Sequence, residues 1–225
     1  MDMGLNKLTG ILLEMAELAE KSVTASIDAY GQMQDAQEIA HQIYAWSEEL
    51  RKFEDDSTEI AIEMIARFQP VAGDLRFIKG AMEIAYGFSR LGRYAYDIAE
   101  VLEMFGDLSD CDHSVVETTA NTTKEMIRTS IEAFVKRDIE LAKKVQKMDD
   151  FVDNQYRENT SSLLRNNNER LKCALSATLI LRYLERMSDH SAYIGDWVIY
   201  IVTGEKEAWK RQGRPSILAE SREER

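Results

Sequence analysis

Proline, glycine and cysteine are all scarce in this 225-residue chain, which contains 2 prolines, 11 glycines and 2 cysteines. So little proline and glycine excludes collagen-like and proline-rich disordered chains, and it argues against a turn-rich β-sandwich. The two cysteines, Cys111 and Cys173, are too few for a disulfide framework. We therefore expect one buried and one surface thiol, in a reducing, cytoplasmic environment.

Long apolar runs and an excess of positive charge are also missing. No segment approaches the ~20 apolar residues that cross a bilayer, and residues 1–6 lack the basic and apolar pattern of a signal peptide. Lys and Arg total 28 against 40 Asp and Glu, which gives a formal net charge of −12. Because nucleic acids and anionic lipids attract basic proteins, we expect no nucleic-acid partner and no direct membrane insertion. The acidic balance suits a cation or a basic protein surface as partner.

Apolar residues recur with helical spacing over most of the chain. After Pro70 they alternate at intervals of four and three residues, and a second apolar strip runs beside the first. The first strip contains Phe77, Ala81, Ile84, Phe88, Leu91, Ala95 and Ile98. Two adjacent strips indicate a helix that packs against neighbours on both sides. The C-terminal third shows the same pattern, and no alternating strand pattern is present, so the sequence predicts an all-α protein.

Breaks in this pattern divide the chain into helices. They fall at Pro70, at the polar residues 106–110, at Asn166–Asn168 and at Gly204, where glycine favours a left-handed helix end. The sequence therefore predicts six main helices, three on each side of residues 106–111.

The two halves of the chain resemble each other. Ser26–Tyr30 is similar to Ser130–Phe134, and Gly92–Ile98 is similar to Ser188–Ile194 at an offset of 96 residues. A repeat of this length indicates a duplicated domain. We expect two tandem, pseudo-symmetric three-helix bundles with spectrin-like up-down helices. They cover residues 1–106 and 107–206, and residues 207–225 form a C-terminal tail.

Two pairs of carboxylates lie on helix seams in the second half. Glu185 and Asp189 share one helix face at positions i and i+4, and so do Asp149 and Asp153 on the preceding helix. Glu185 and Asp149 fall within the apolar seams of their helices. Ionised carboxylates in such places are costly unless they protonate, pair with a cationic side chain or bind a cation.

Two interpretations of these acids stay open at this point. Four oxygen-donor side chains between helices suit a hard or borderline metal ion. Alternatively, the acids lie at the seam edge, where they are solvated or pair with Arg186 and Lys147.

Three segments of the chain resemble the PhoU family of phosphate-uptake regulators. They are Gln69–Ile78, Arg182–His190 and Asp196–Glu205, and the likeness runs in family order over roughly residues 5–206. The resemblance implies two similar three-helix bundles and a cytoplasmic, homodimeric, negative regulator of phosphate uptake and phosphate-responsive signalling. It implies binding to the ATPase subunit of the phosphate ABC transporter and, as a second partner, to a phosphate-sensing histidine kinase.

The resemblance also implies a metal-binding motif in each bundle. The family carries Glu/Asp-x-x-x-Asp on two facing helices, where it binds a metal ion or a multinuclear cluster. The second half keeps both motifs, as Asp149 with Asp153 and as Glu185 with Asp189. The expected cofactor is therefore a divalent or iron-type ion in the second repeat, drawn from Fe, Zn, Mg, Mn and Ni.

The first half departs from the family pattern. Its matching positions are Ser47, Arg51, Ser89 and Arg93, so that both motifs have become Ser-x-x-x-Arg. We predict no metal cluster there. Either the two arginines pair with nearby acids such as Asp97, Glu48 and Glu54, or two guanidinium groups and two hydroxyls form a small anion site.

Catalysis is the alternative function class. A metal-dependent enzyme in a helical bundle needs an open coordination position and a general base, and this sequence lacks the Glu-x-x-His pairs of di-iron bundles. We expect no catalytic residues and no enzyme activity. A metal- or phosphate-binding paralogue with a shifted role is the other alternative.

Overall fold

The computed structural model describes residues 1–32, 36–165 and 170–205, and over these ranges it contains six α-helices and no strand. The first repeat contains α1 (Asp2–Gln32), α2 (Ala36–Phe68) and α3 (Ala72–Phe105). The second repeat contains α4 (Ser114–Lys136), α5 (Ile139–Arg165) and α6 (Leu171–Thr203). The all-α prediction, with three helices on each side of residues 106–111, is confirmed.

The helices end where proline and glycine interrupt the apolar pattern. α2 stops at Phe68, before Pro70, and α3 stops before Gly106. Gly204 follows α6 in the left-handed conformation (φ 80°), and its N–H bonds to the carbonyl of Tyr200 at 2.8 Å. The predicted turn at Asn166–Asn168 and the predicted tail at 207–225 lie outside the described residues.

α3 and α6 pack against each other in antiparallel orientation and join the two bundles. Gly80 of α3 lies against Ile201, near the end of α6, and Gly87 lies against Ile194, about two turns earlier. A Cβ atom on Gly80 would come within 2.5 Å of the Ile201 side chain, and one on Gly87 within 2.7 Å of Ile194. The two helices approach this closely because neither glycine carries a side chain.

One hydrophobic core runs through both repeats. The buried strip predicted for α3, which includes Ile84, Phe88 and Leu91, belongs to the same buried cluster as α6 residues such as Leu184 and Ile194. The repeats meet a second time along α1 and α4, where Lys124 pairs with Asp28 at 2.8 Å. The sequence duplication thus produces two bundles that share a core.

Cys111 and Cys173 form a disulfide bond, with their Cα atoms 5.5 Å apart. The expectation of two separate thiols is therefore wrong. The antiparallel packing of α3 and α6 brings the start of α6 beside the segment that follows α3, although 62 residues separate the two cysteines. Two hydrogen bonds tie the same regions together: Arg170 donates to the carbonyl of Asp110 at 2.6 Å, and Lys172 donates to that of Asp107.

Candidate metal centre

Three carboxylates from two helices of the second repeat meet at one point. Asp149 and Asp153 come from α5 and Asp189 comes from α6, and one oxygen from each lies within 4.8 Å of the others. Asp153 and Asp189 are buried, and Asp149 is partly buried. The one-turn spacing puts both α5 acids on the face toward α6, and the structure brings these three of the four predicted acids together. Their role as metal ligands stays a prediction.

Neighbouring side chains hold the carboxylates in position. The buried hydroxyl of Ser188 donates a hydrogen bond to Asp149 Oδ1 at 2.6 Å. Arg157 lies 3.7 Å from Asp153, and Arg186 lies 3.6 Å from Asp189. Both arginines are more than one third exposed, so water weakens these contacts.

Glu185 is not a member of this three-carboxylate group. Its Oε2 accepts a hydrogen bond from Arg182 at 2.8 Å and lies 3.9 Å from Arg186. Burial raises the pKa of Glu185, as does the negative charge of Asp189, and the two arginines oppose the shift. The role of Glu185 as a metal ligand stays a prediction.

The donor set fits a hard or borderline cation. Three carboxylate oxygens within reach of one ion supply the ligands that Mg²⁺, Mn²⁺, Zn²⁺ and iron accept. His190, which follows Asp189 in sequence, turns away from the acids and packs against Tyr86, Tyr94 and Tyr193. Its rotation of about 100° along the helix places it in the α3–α6 interface.

The corresponding region of the first repeat contains ion pairs. Ser47 and Ser89 are buried, as expected for seam positions, and each is 8% exposed. Arg51 pairs with Glu48 and Asp55, both at 3.3 Å. The acids that pair with Arg51 are thus Glu48 and Asp55, which lie on the same helix as the arginine.

Arg93, the arginine of the second Ser-x-x-x-Arg motif, pairs with Asp97 at 2.9 Å. Burial raises the pKa of the Asp97 carboxyl, and the Arg93 charge opposes that shift. These contacts favour ion pairing over anion binding at the two arginines. The anion site stays a prediction.

The sequence interpretation missed an aromatic cluster between α3 and α6. His190 lies among three tyrosines there, with Tyr94 Oη 3.4 Å from its Nε2. Burial lowers the pKa of His190 to about 4, and the charges of Arg90 and Arg186 act in the same direction. The aromatic residues of α3 and α6 predict this cluster only when the antiparallel packing of the two helices is already known.

Comparison with known proteins decides the family. The model of the PhoU domain matches twice, over residues 12–102 and 116–198, once in each three-helix repeat. The chain belongs to the PhoU family. The structural repeat and the three sequence segments that resemble the family agree with this match.

Relatives and solved structures of PhoU proteins extend this match. A phosphate-specific transport system accessory protein PhoU homolog of Clostridium acetobutylicum is 30% identical over 209 residues, which cover 90% of this chain and 94% of that protein. The Zymomonas mobilis protein with the same description is 26% identical, over 97% of this chain and 93% of its own length.

The crystal structure of PhoU from Pseudomonas aeruginosa superimposes with a TM-score of 0.82 at 27% identity, over 91% of this chain and 99% of that one. The phosphate transport system regulatory protein PhoU from Streptococcus pneumoniae has a TM-score of 0.80 at 19% identity, over 91% and 98% of the two chains, and it supports the fold.

No helix within residues 1–32, 36–165 and 170–205 combines the length and hydropathy needed to cross a bilayer.

Proposed function

We propose that this PhoU-family chain is a cytoplasmic regulator that lowers phosphate uptake by binding the ATPase subunit of a phosphate ABC transporter. The single observation that carries the proposal is the PhoU match in both repeats. The relatives are described as accessory proteins of the phosphate-specific transport system, which points to protein binding rather than catalysis. A phosphate-sensing histidine kinase is the second partner, and it would connect the same protein to gene expression.

The acidic cluster contributes to this function by holding a divalent or iron-type cation. Asp149, Asp153 and Asp189 would bind the ion, and Ser188 would orient the first of them through its hydrogen bond. Because the acids come from α5 and α6, a bound cation would link these helices and offset the repulsion among three carboxylates. The ion would therefore stabilise the surface that the second repeat presents to its partner.

Self-association is part of the proposal. Leu171, Leu175 and Leu179 recur at four-residue spacing on α6 and are 64%, 45% and 37% exposed. An exposed apolar strip of this kind favours contact with another protein surface. We expect the isolated protein to be a homodimer, with a mass near twice 25.8 kDa by light scattering.

The test is capture of the transporter ATPase from the source organism by the immobilised full chain. Metal-loaded wild type should retain the ATPase, and the Asp149→Asn/Asp189→Asn double variant should retain at least tenfold less. Asp97→Asn is the matched control, because it removes a half-buried, arginine-paired acid from the first repeat. This control should bind as wild type does.

Two results would contradict the proposal. One is the absence of ATPase capture by the wild-type protein in any metal state. The other is unchanged repression of phosphate uptake after deletion of the gene. Equal capture by wild type and the double variant would remove the metal from the mechanism and leave the partner assignment in place.

A further inference from the structure

A cavity of about 520 Å³ lies where α1 and α3 begin and α6 ends. We call it the end cavity, and its lining includes Arg76, Arg137 and residues of α1 and α6. The length of α3, 34 residues, places the end cavity about 50 Å from the disulfide end of the molecule. Its volume falls within the range of about 300–1,000 Å³ that is usual for small-molecule sites.

Two arginines, Arg76 and Arg137, line the end cavity. The Nε atom of Arg76 is buried and has no hydrogen-bond partner among the described residues. Arg137 follows α4, and its guanidinium lies 5.4 Å from the centre of the Phe77 ring. Because the Nε atom of Arg76 is buried, a ligand in the end cavity would meet the terminal nitrogens of that group, of which Nη2 lies 3.9 Å from the position that a Cβ atom on the lining residue Gly73 would take. A cationic group with a buried N–H that lacks an acceptor is costly, and the charge of an anion in the cavity would offset that cost.

The sequence repeat shows that this arrangement is peculiar to one end of the molecule. At the repeat offset of 96 residues, Arg76 corresponds to Lys172. Lys172 donates to the backbone carbonyl of Asp107, in a region that the disulfide also closes. Arg76 instead lies against Gly204, with its Nε 3.4 Å from the position that a Cβ atom would take. The cationic side chain at this position of the repeat thus has a backbone acceptor in the second repeat and lines a cavity in the first.

Polar groups around the two arginines restrict the ligand. Asp2 and Asp74 also line the end cavity, so the four charged side chains sum to zero formal charge. A free phosphate ion gains little from such a balanced lining. A phosphate ester with hydroxyl groups gains more, because its hydroxyls can donate to the carboxylates while its phosphoryl oxygens accept from the guanidinium groups. Asn6 offers a further donor and acceptor at the same wall.

The remaining wall of the end cavity is apolar and contains Leu5, Ile201 and Val202. A flat, weakly polar group of the ligand would bury its surface there. We propose that the end cavity binds a nucleoside monophosphate, with the phosphoryl group at Arg76 and Arg137, the ribose at the polar groups and the base against the apolar wall. This site is separate from the metal centre and does not depend on the function proposed above.

Calorimetric titration of the full chain with AMP tests the proposal, with adenosine and inorganic phosphate as partial ligands. Wild type should bind AMP at least tenfold more tightly than either partial ligand. Arg76→Gln and Arg137→Asn should each weaken AMP binding at least tenfold. Asparagine is chosen at 137 because the residue has φ 52°, a left-handed conformation that asparagine accepts.

The matched control is Arg67→Gln, which removes an exposed arginine at the end of α2 and should leave AMP affinity unchanged. If Arg76→Gln fails to fold, Arg137→Asn and the methyl NMR shifts of Ile201 and Val202 on addition of AMP decide the question. The proposal is overturned if AMP does not bind at millimolar concentration, or if the arginine variants bind it as wild type does. Equal affinity for AMP and phosphate would also overturn it.

Discussion

Reduction of the disulfide between Cys111 and Cys173 should lower the free energy of unfolding by about 4 kcal/mol. The bond closes a loop of 62 residues, and a crosslink over that length removes a corresponding amount of conformational entropy from the unfolded chain. The native state should change little, because the hydrogen bonds from Arg170 and Lys172 still hold the connector to α6. For a chain of this size, the loss corresponds to a melting temperature lower by about 8–16 °C.

The assay is urea unfolding followed by circular dichroism, with and without reductant. The Cys111→Ser/Cys173→Ser double variant is the control: it should match the reduced wild type and show no response to reductant. Thiol titration of the unreduced, denatured wild type should find no free thiol. Two free thiols there, or equal unfolding midpoints in both redox states, would refute the reasoning.

Three further predictions concern charge, packing and the metal centre. In chelator-treated protein, His190 should add stability above pH 6.5 that is lost as the pH falls toward 4, because its folded-state pKa is lowered to about 4. The loss should reach about 3 kcal/mol. Urea unfolding at pH 7.5 and at pH 4.5 measures it, and the free energy of unfolding should change less between these pH values in His190→Gln than in wild type. An equal change in both proteins would contradict the assignment. Gly87→Val should destabilise the fold by about 1–3 kcal/mol, because its side chain would overlap Ile194. Gly10→Ala should stabilise α1 by about 1 kcal/mol, because a Cβ atom at this position would have open space around it. A melting temperature that is higher for Gly87→Val than for Gly10→Ala would be inconsistent with the packing. Ser188→Ala should weaken metal affinity about tenfold through loss of its hydrogen bond to the carboxylate, whereas unchanged affinity in a competitive chelator titration would remove Ser188 from the site.

The helices were predictable because their signals are local. The strip that includes Phe77, Ile84 and Leu91 repeats with the helical period, and every one of these residues is buried. Pro70 interrupts the helical pattern because its ring restricts the backbone, and Gly204 ends α6 because glycine accepts the left-handed conformation at low cost. Such features depend on neighbours within a few residues, which a single sequence shows directly.

The candidate site was predictable only in part. One-turn spacing placed Asp149 and Asp153 on one face of α5, and the same rule placed Glu185 and Asp189 on one face of α6. Glu185 instead turns toward Arg182, three residues earlier on its own helix. Spacing fixes the face of a helix but not which of two nearby charges a long side chain meets.

The disulfide and the end cavity were not predictable, because both depend on how helix ends meet. Cys111 and Cys173 approach each other through the antiparallel packing of α3 and α6. Arg76 and Arg137 come from different repeats and share a cavity only in the folded chain. Neither arrangement leaves a periodic or short-range trace in the sequence.

Elemental analysis of the purified protein tests the asymmetry between the repeats most directly. Wild type and Asp97→Asn should each carry at least one equivalent of a divalent or iron-type metal per chain after dialysis. The Asp149→Asn/Asp189→Asn double variant should carry none, because it removes two of the three converging carboxylates. Equal metal content in all three proteins, or no metal in any of them, would contradict the account and return these acids to ordinary ion pairing.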